Sequence, residues 1–252
     1  MNSRPGPARP HRVHIGAGDP LGYPPPARAF FGDGSWVHLH APGESIRDTA
    51  SPFRRIASGI RQRLSGAARA RRAADGRFRA EARRCWRYMP FWLDERRALP
   101  FRDRVFTFAL SEHVLEHLFL PEAFRLMLEV RRVLSPGGVF RVSVPDADLR
   151  PGGLEPLAYH AGRGRTTHEP GRWNDPEVHK TRWNIYSMSL ALELAGFTVV
   201  PLRAWDRHGS RVGAFPLARR PPYAEGADWD ALLRSDYLRR PESLIVDAVV
   251  PR

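Results

Sequence analysis

The stretch from Leu99 to Asp146 constrains the fold more than any other part of the chain. An apolar run from Val105 to Leu110 leads into the polar corner Ser111-Glu112-His113. An amphipathic helix pattern follows and ends at Pro136-Gly137-Gly138, and a second apolar run spans Val139 to Val144. Strand, corner, helix, glycine turn and strand form one βαβ unit, and such units build parallel sheets. Ligands in parallel sheets lie outside the carboxyl ends of the strands, so the polar corner marks the edge where a functional site is expected.

The composition favours one α/β domain over a membrane protein or a disulfide-rich one. With 252 residues, 42% of them hydrophobic, the chain can bury a core. It has no apolar run of about 18 residues, the length that a membrane span needs. The opening MNSRPGPARPHR lacks the apolar middle of a signal peptide, so we expect a cytoplasmic protein. The single Cys85 excludes an intrachain disulfide and a cysteine-based zinc site.

The positive charge is concentrated in an arginine-rich insertion at about 45–87. The formal net charge is +13, and Lys180 is the only lysine. Apolar residues of the insertion recur every four positions, at Ile56, Ile60, Leu64 and Ala68. This spacing predicts a helix, either a solvated one that covers an edge of the domain, or an arginine-rich lid or membrane-surface helix. Arginine excess is also typical of nucleic-acid partners, but its concentration in one insertion favours a coding bias instead.

The start of the chain contains two predicted strands. Residues 1–11 are predicted to be a disordered arm, and residues 12–252 a single domain that carries the insertion. The first strand is Arg12 to Ile15, and the alternating Trp36 to His40 is the second. Four prolines within Pro20 to Ala27 argue against an ordinary helix there.

The later elements complete an alternating pattern. Trp86 to Leu93 is the third strand region, Ile185 to Ala195 is a helix closed by Gly196, and Phe197 to Leu202 and Ser243 to Val250 are strands. The helix of the βαβ unit begins near Pro121, and its buried face is predicted to comprise Ala123, Leu126, Met127, Val130 and Leu134. Residues 150 to 182 have the composition of a loop.

Three motifs in this order resemble a known family. Leu99-Pro100-Phe101 precedes the strand, His113-Val114-Leu115-Glu116-His117-Leu118 follows it, and Leu134-Ser135-Pro136-Gly137-Gly138 precedes the next strand. The combination resembles the class I S-adenosylmethionine-dependent methyltransferases, with the type 11-like branch, often predicted to act in glycan or secondary metabolism, as the nearest subgroup. The resemblance implies a Rossmann-like three-layer sandwich. It also implies a mostly parallel seven-stranded sheet with an antiparallel C-terminal hairpin, and S-adenosyl-L-methionine as the cofactor.

The resemblance assigns the cofactor site to the ends of the first two strands. His14 stands two residues before Gly16, where the family usually has an acid, and Gly16 and Gly18 form the glycine motif. His40 ends the second strand, where the family places an acid that accepts two hydrogen bonds from the ribose. A neutral imidazole accepts only one such bond, and Asp33 or Glu44 could substitute for the missing acid.

Further contacts are implied beside the third and fourth strands. Asp94 stands five residues before Leu99, the spacing at which the family contacts the adenine amino group, and it is preferred to Asp103. Ser111 is assigned to the cofactor edge. Glu116 and His117 are interpreted as residues that cap a helix.

Methyl transfer to a hydroxyl is aided by a general base, for which His113 and His179 are the candidates and His168 an alternative. His160, His168 and His179 are spaced too irregularly to indicate a metal site. The expected acceptor is a small molecule or a sugar. Two other functions stay open: a catalytically inactive binding module of the same fold, and a nucleic-acid methyltransferase that uses the arginine-rich insertion. The oligomeric state is not predicted.

Overall fold

The computed structural model describes residues 10–18, 23, 25–40, 74, 76–78, 80, 82, 86–93, 97–149, 179–206, 208, 210–213, 222–223, 227–238 and 243–252. Most of the predicted N-terminal arm and of the arginine-rich insertion lies outside these ranges. So do several residues singled out from the sequence, namely Glu44, Ile56, Ile60, Leu64, Ala68, Asp94, His160 and His168.

One mixed sheet forms the middle layer. Its strands are β1 (Arg12–Ile15), β2 (Trp36–His40), β3 (Arg87–Pro90), β4 (Phe106–Glu112), β5 (Leu134–Pro145), β6 (Thr198–Trp205), β7 (Arg211–Val212) and β8 (Ser243–Val249). They lie in the order β3-β2-β1-β4-β5-β8-β6-β7. The first five strands run parallel, and β8 runs antiparallel between β5 and β6. The predicted fold class is confirmed, with the two-residue β7 as an eighth strand beside β6.

Helices cover both faces of the sheet. The helices are α1 (Pro25–Phe31), α2 (Leu120–Val133), α3 (Ile185–Leu194) and α4 (Trp229–Arg234), and 3-10 turns lie at Leu115–His117 and Ser235–Leu238. One apolar core separates the sheet from α2 and α3, and the other separates it from α1 and α4. None of the helices in the described part of the chain is long and apolar enough to cross a membrane.

Local sequence signals explain the two long helices. Four of the five residues predicted for the inner face of α2 are buried in the helix, namely Ala123, Leu126, Met127 and Val130, whereas the fifth, Leu134, lies in β5. Helix α3 begins at a capping box, in which the Asn184 side chain accepts a hydrogen bond from the Ser187 amide at 2.9 Å. It is followed by Gly196, whose φ of +89° suits the turn that leaves a helix.

Three predicted boundaries were wrong. Helix α1 begins at Pro25 inside the proline run, because prolines are tolerated in the first turn of a helix, where backbone N–H groups have no helical partner. Strand β4 continues through the buried Ser111 and Glu112, so the polar corner begins at His113. Helix α2 ends at Val133, and β5 begins at Leu134, before the predicted glycine turn.

A buried ion pair joins β5 to β8. Arg141 and Asp247 lie opposite each other, both fully buried, and the guanidinium donates from Nε and Nη2 to the two carboxylate oxygens at 2.7 Å each. Its Nη1 donates to the Leu232 carbonyl at 2.7 Å, and the Tyr223 hydroxyl donates to Asp247 at the same distance. The pair therefore ties the centre of the sheet to α4 and to the segment at Tyr223.

Candidate functional site

The ends of β1, β2 and β4 meet at one edge of the sheet. Ile15 at the end of β1 pairs with Leu39 on one side and Ser111 on the other, so residues that follow these strands emerge close together. The chain turns at Gly16, whose φ is +71°, and the Ala17 amide donates to the Leu39 carbonyl at 2.8 Å. This edge is where the parallel-sheet rule places a ligand.

The two predicted glycines have different surroundings. A Cβ added at Gly16 would lie 2.2 Å from Cγ2 of Val114, so the first glycine is required by packing as well as by its φ angle. A Cβ at Gly18 would meet no atom within 4 Å among the described residues. Gly18 is therefore the part of the loop that a ligand can approach closely.

The His14 imidazole lies away from this edge, in the core beneath α1. It is fully buried, stacks on the Phe31 ring at 4.5 Å, and has the Tyr23 hydroxyl 3.4 Å from its Nε2. Burial, and to a smaller extent the neighbouring His38, hold the pKa of His14 well below its ordinary 6.5. Any contact of His14 with a cofactor at the edge is thus restricted to its backbone.

His38 is a buried histidine that the sequence analysis did not single out. It lies beside His14 in the β1–β2 register and packs against the Trp86 ring at 4.6 Å and the Tyr88 ring at 5.2 Å. Its Nε2 lies 3.3 Å from the Phe31 carbonyl, to which the neutral ring donates. Burial lowers the pKa of His38 to about 3, so this cluster contains two neutral imidazoles at physiological pH.

His40 and Tyr88 close the end of β2. His40 is 3% exposed, and its ring meets the Tyr88 ring edge-on at 5.4 Å. The Tyr88 hydroxyl donates to the Gly18 carbonyl at 3.4 Å, so Tyr88 bridges the second strand and the glycine loop. The sequence analysis did not identify Tyr88, because its contact with Gly18 joins residues 70 apart in the chain.

Buried hydroxyls lie at the ends of β4 and β5. Ser111 and Ser143 are fully buried, and neither Oγ has a hydrogen-bond partner among the residues that the structure describes. Ser111 pairs with Ile15 and Val142, which places it directly beside the start of the glycine loop. The placement of Ser111 is compatible with the predicted cofactor edge, and its role there stays a prediction.

The two predicted catalytic histidines lie beside consecutive residues, His113 beside Glu116 and His179 beside His117. His113 has a φ of +53° and a side chain 31% exposed; its Nδ1 lies 3.1 Å from Oε1 of Glu116, and its Nε2 lies 3.3 Å from the Ser243 hydroxyl. The His179 ring meets the His117 ring edge-on at 4.9 Å. Glu116 and His117 end the 3-10 turn before α2 rather than cap that helix, and Glu116 is buried. The HVLEHL motif therefore places a buried carboxylate between candidate histidines.

Comparison with family models finds a match over part of the chain. Residues 68–142 match the family model described as a methyltransferase domain. In a search of curated proteins, no sequence matches the chain.

Solved structures of low similarity include a chain from the complex of the Haloferax volcanii Trm112 methyltransferase activator with a putative methyltransferase. It shows 16% identity and a TM-score of 0.48, and the alignment covers 98% of this chain and 85% of that one. The YcgJ protein of Bacillus subtilis shows 16% identity and a TM-score of 0.46. The alignment covers 96% of this chain and 93% of that one. An S-adenosylmethionine-dependent methyltransferase from Mesorhizobium loti shows 18% identity and a TM-score of 0.47. The alignment covers 98% of this chain and 93% of that one.

The family match includes β3, β4, α2 and most of β5, the elements that frame the polar corner. The observed sheet has the parallel strands and the antiparallel last strand that the sequence motifs implied. The match covers residues 68–142 of the 252-residue chain, and the sheet has the architecture that the resemblance to the class I S-adenosylmethionine-dependent methyltransferases implied.

Proposed function

We propose that the protein transfers a methyl group from S-adenosylmethionine to a small-molecule or sugar acceptor. The observation that carries the proposal is the Gly16–Gly18 loop, which follows β1 at the carboxyl edge of the sheet and leaves Gly18 open to a ligand. The sugar or small-molecule class of the acceptor rests on analogy with the type 11-like branch.

The residues at this edge fit the cofactor in part. Among the described residues, none lies close enough to Gly18 to prevent the approach of a ligand, and none is a hydrogen-bond partner of the Ser111 hydroxyl on the adjoining strand. His40 would supply one hydrogen-bond acceptor for a ribose hydroxyl. Asp94 is proposed for the adenine amino group on its spacing from Leu99. When bound, the cofactor supplies the electrophilic methyl group, and the protein supplies orientation and electrostatics.

His113 is the better placed of the two candidate bases. Its ring is partly exposed at the end of β4, and the Glu116 carboxylate lies 3.1 Å from Nδ1. Its Nε2 would exchange the contact with the Ser243 hydroxyl at 3.3 Å for an acceptor hydroxyl, from which it would take a proton. A side chain in this role contributes about 10²- to 10⁴-fold to the rate. His113→Ala should lower kcat by such a factor and leave the affinity for S-adenosylhomocysteine unchanged. An unchanged kcat would exclude His113 as the base.

Calorimetric titration with S-adenosylhomocysteine tests the cofactor assignment. The full chain should bind it, Asp94→Ala should bind it more weakly, and Asp103→Ala, which removes the exposed alternative carboxylate, should bind it like the parent. Equal binding by the parent and Asp94→Ala would contradict the adenine contact. The absence of binding by a folded parent chain would refute the proposed function.

One observation favours a second candidate, the non-catalytic binding module. Tyr88 lies against His40 and donates to the Gly18 carbonyl, so its side chain occupies space between the second strand and the glycine loop. If Tyr88 blocks the site of such a module, S-adenosylhomocysteine should not bind the parent and should bind Tyr88→Ala. Binding by the parent would contradict this second candidate.

A further inference from the structure

A carboxylate and two imidazoles come together beyond the end of β4. Glu116, His117 and His179 each offer one atom that can bind a metal ion. These three atoms all lie within 4.8 Å of one another. We refer to these three residues as the Glu116 cluster. They come from two segments, the 3-10 turn at Leu115–His117 and the chain that leads into α3.

Backbone hydrogen bonds hold the two segments in register. The amides of Lys180 and Thr181 both donate to the Glu116 carbonyl, at 2.6 and 3.0 Å, and the Thr181 hydroxyl donates to the Leu115 carbonyl at 3.0 Å. These contacts hold the residues that directly follow His179 against the 3-10 turn that contains His117. A preformed arrangement of this kind lowers the entropic cost of binding a ligand.

Three polar atoms, on Glu116 and His117, are buried with no hydrogen-bond partner among the described residues. The Glu116 side chain is 2% exposed, yet neither oxygen accepts a hydrogen bond from the residues that the structure describes. The buried Nδ1 of His117 also lacks a partner within the same set of residues. Burial of a carboxylate is costly unless a cation or hydrogen bonds compensate it, and His113 contributes only the contact at 3.1 Å.

We propose that Glu116, His117 and His179 bind a divalent transition-metal cation of the zinc type. Imidazole nitrogens suit zinc and its first-row neighbours, whereas magnesium and calcium prefer sites made of oxygen ligands. Three protein ligands with a position left open is the pattern of zinc sites that bind a further ligand. His113, next to Glu116, acts as the outer partner that orients the carboxylate.

The sequence analysis expected no metal site, because it compared the spacings of His160, His168 and His179 alone. The Glu116-His117 pair lies about 60 residues before His179, and only the folded chain joins them. In this arrangement His179 is a metal ligand rather than the second candidate base.

The location suggests what the open position would hold. The cluster follows β4, which is the neighbour of β1, so it lies toward the same edge of the sheet as the glycine loop. A bound cation polarises an oxygen ligand and lowers its pKa, which suits an acceptor hydroxyl. This role rests on the proposed methyl transfer, whereas the cation site itself does not.

The test uses the full chain, stripped of metal with a chelator and titrated with zinc chloride in the absence of cofactor and acceptor. We expect one zinc ion per chain. Loss of an outer partner costs about 10- to 100-fold in metal affinity, so His117→Ala and the nearly isosteric Glu116→Gln should each lose at least about 100-fold. His208→Ala removes an exposed histidine outside the cluster and should bind zinc like the parent.

Cobalt provides a second readout that does not depend on activity. Co²⁺ at the site should give visible d–d absorption in the parent and in His208→Ala, and none in His117→Ala. Circular dichroism establishes that each variant is folded. Zinc affinity that is the same in parent and His117→Ala, a folded parent that binds no zinc, or tighter binding of Mg²⁺ than of Zn²⁺ would each overturn the proposal. Because the S-adenosylhomocysteine titration is separate, failure of one proposal leaves the other intact.

Discussion

Replacement of His38 by phenylalanine should make the stability of the protein less sensitive to acid. Burial lowers the pKa of His38 to about 3 in the folded chain, against an ordinary value of 6.5 that the unfolded chain recovers. The neutral ring is thus favoured by folding, and this contribution is complete above pH 6.5. It is lost as the pH falls from 6.5 toward 3, because the unfolded state binds a proton that the folded state does not.

The size of the effect follows from the pKa difference. One proton taken up on unfolding changes the free energy of unfolding by about 1.4 kcal/mol per pH unit. Between pH 7 and pH 5, the parent should therefore lose about 2 kcal/mol more than His38→Phe. Phenylalanine can pack against Trp86 and Tyr88 as the imidazole does, but the Phe31 carbonyl loses its donor, which costs about 1 kcal/mol at neutral pH.

Urea denaturation followed by circular dichroism at several pH values measures this difference directly. The matched control is His208→Phe, in which an exposed histidine is replaced, and its stability curve should run parallel to that of the parent. If the curve of His38→Phe also runs parallel to the parent between pH 7 and pH 5, the buried neutral state of His38 is refuted.

Two further predictions concern stability. Asp247→Ala should lower the free energy of unfolding by about 3–5 kcal/mol, because Arg141 is left charged and buried. The double variant Asp247→Ala/Arg141→Met should be more stable than Asp247→Ala alone. Urea denaturation measures both variants, and an Asp247→Ala variant that is more stable than the double variant would contradict the role of the pair. Gly16→Ala should lower the melting temperature, because a side chain at positive φ costs about 1–2 kcal/mol and its Cβ would clash with Val114. Val114→Ala in the same chain should restore part of that loss, and an unchanged melting temperature for Gly16→Ala would show that the turn tolerates a side chain.

Local patterns were sufficient to predict most of the elements. The apolar spacing from Ala123 to Val130 defines the inner face of α2, and the helix end at Gly196 follows from the conformational freedom of glycine. Boundaries were harder to place where two signals compete. The proline run at Pro25 both disfavours a helix interior and suits a helix start, and only the second property applies in the fold.

The candidate site was predictable only as separate residues. His113 and His179 were identified from their residue type, and the glycine loop from its place after a strand. His179 lies close to Glu116 because the amides that follow it donate to the Glu116 carbonyl. The sequence carries no local signal for these hydrogen bonds between distant segments. Likewise His14 suggested a cofactor contact by position, whereas its direction toward Phe31 depends on α1 packing over β1.

The position of β8 has a consequence for how the protein is made. Strand β8 lies between β5 and β6, so β6 and its partner β7 are joined to the other strands only through residues 243–249. During synthesis, β5 therefore presents an unpaired edge rich in valine, and such edges are prone to join other chains. A ribosome-bound chain that stops before Ser243 should consequently depend on chaperones, and insertion of this one strand would be the event that commits the domain to its native state.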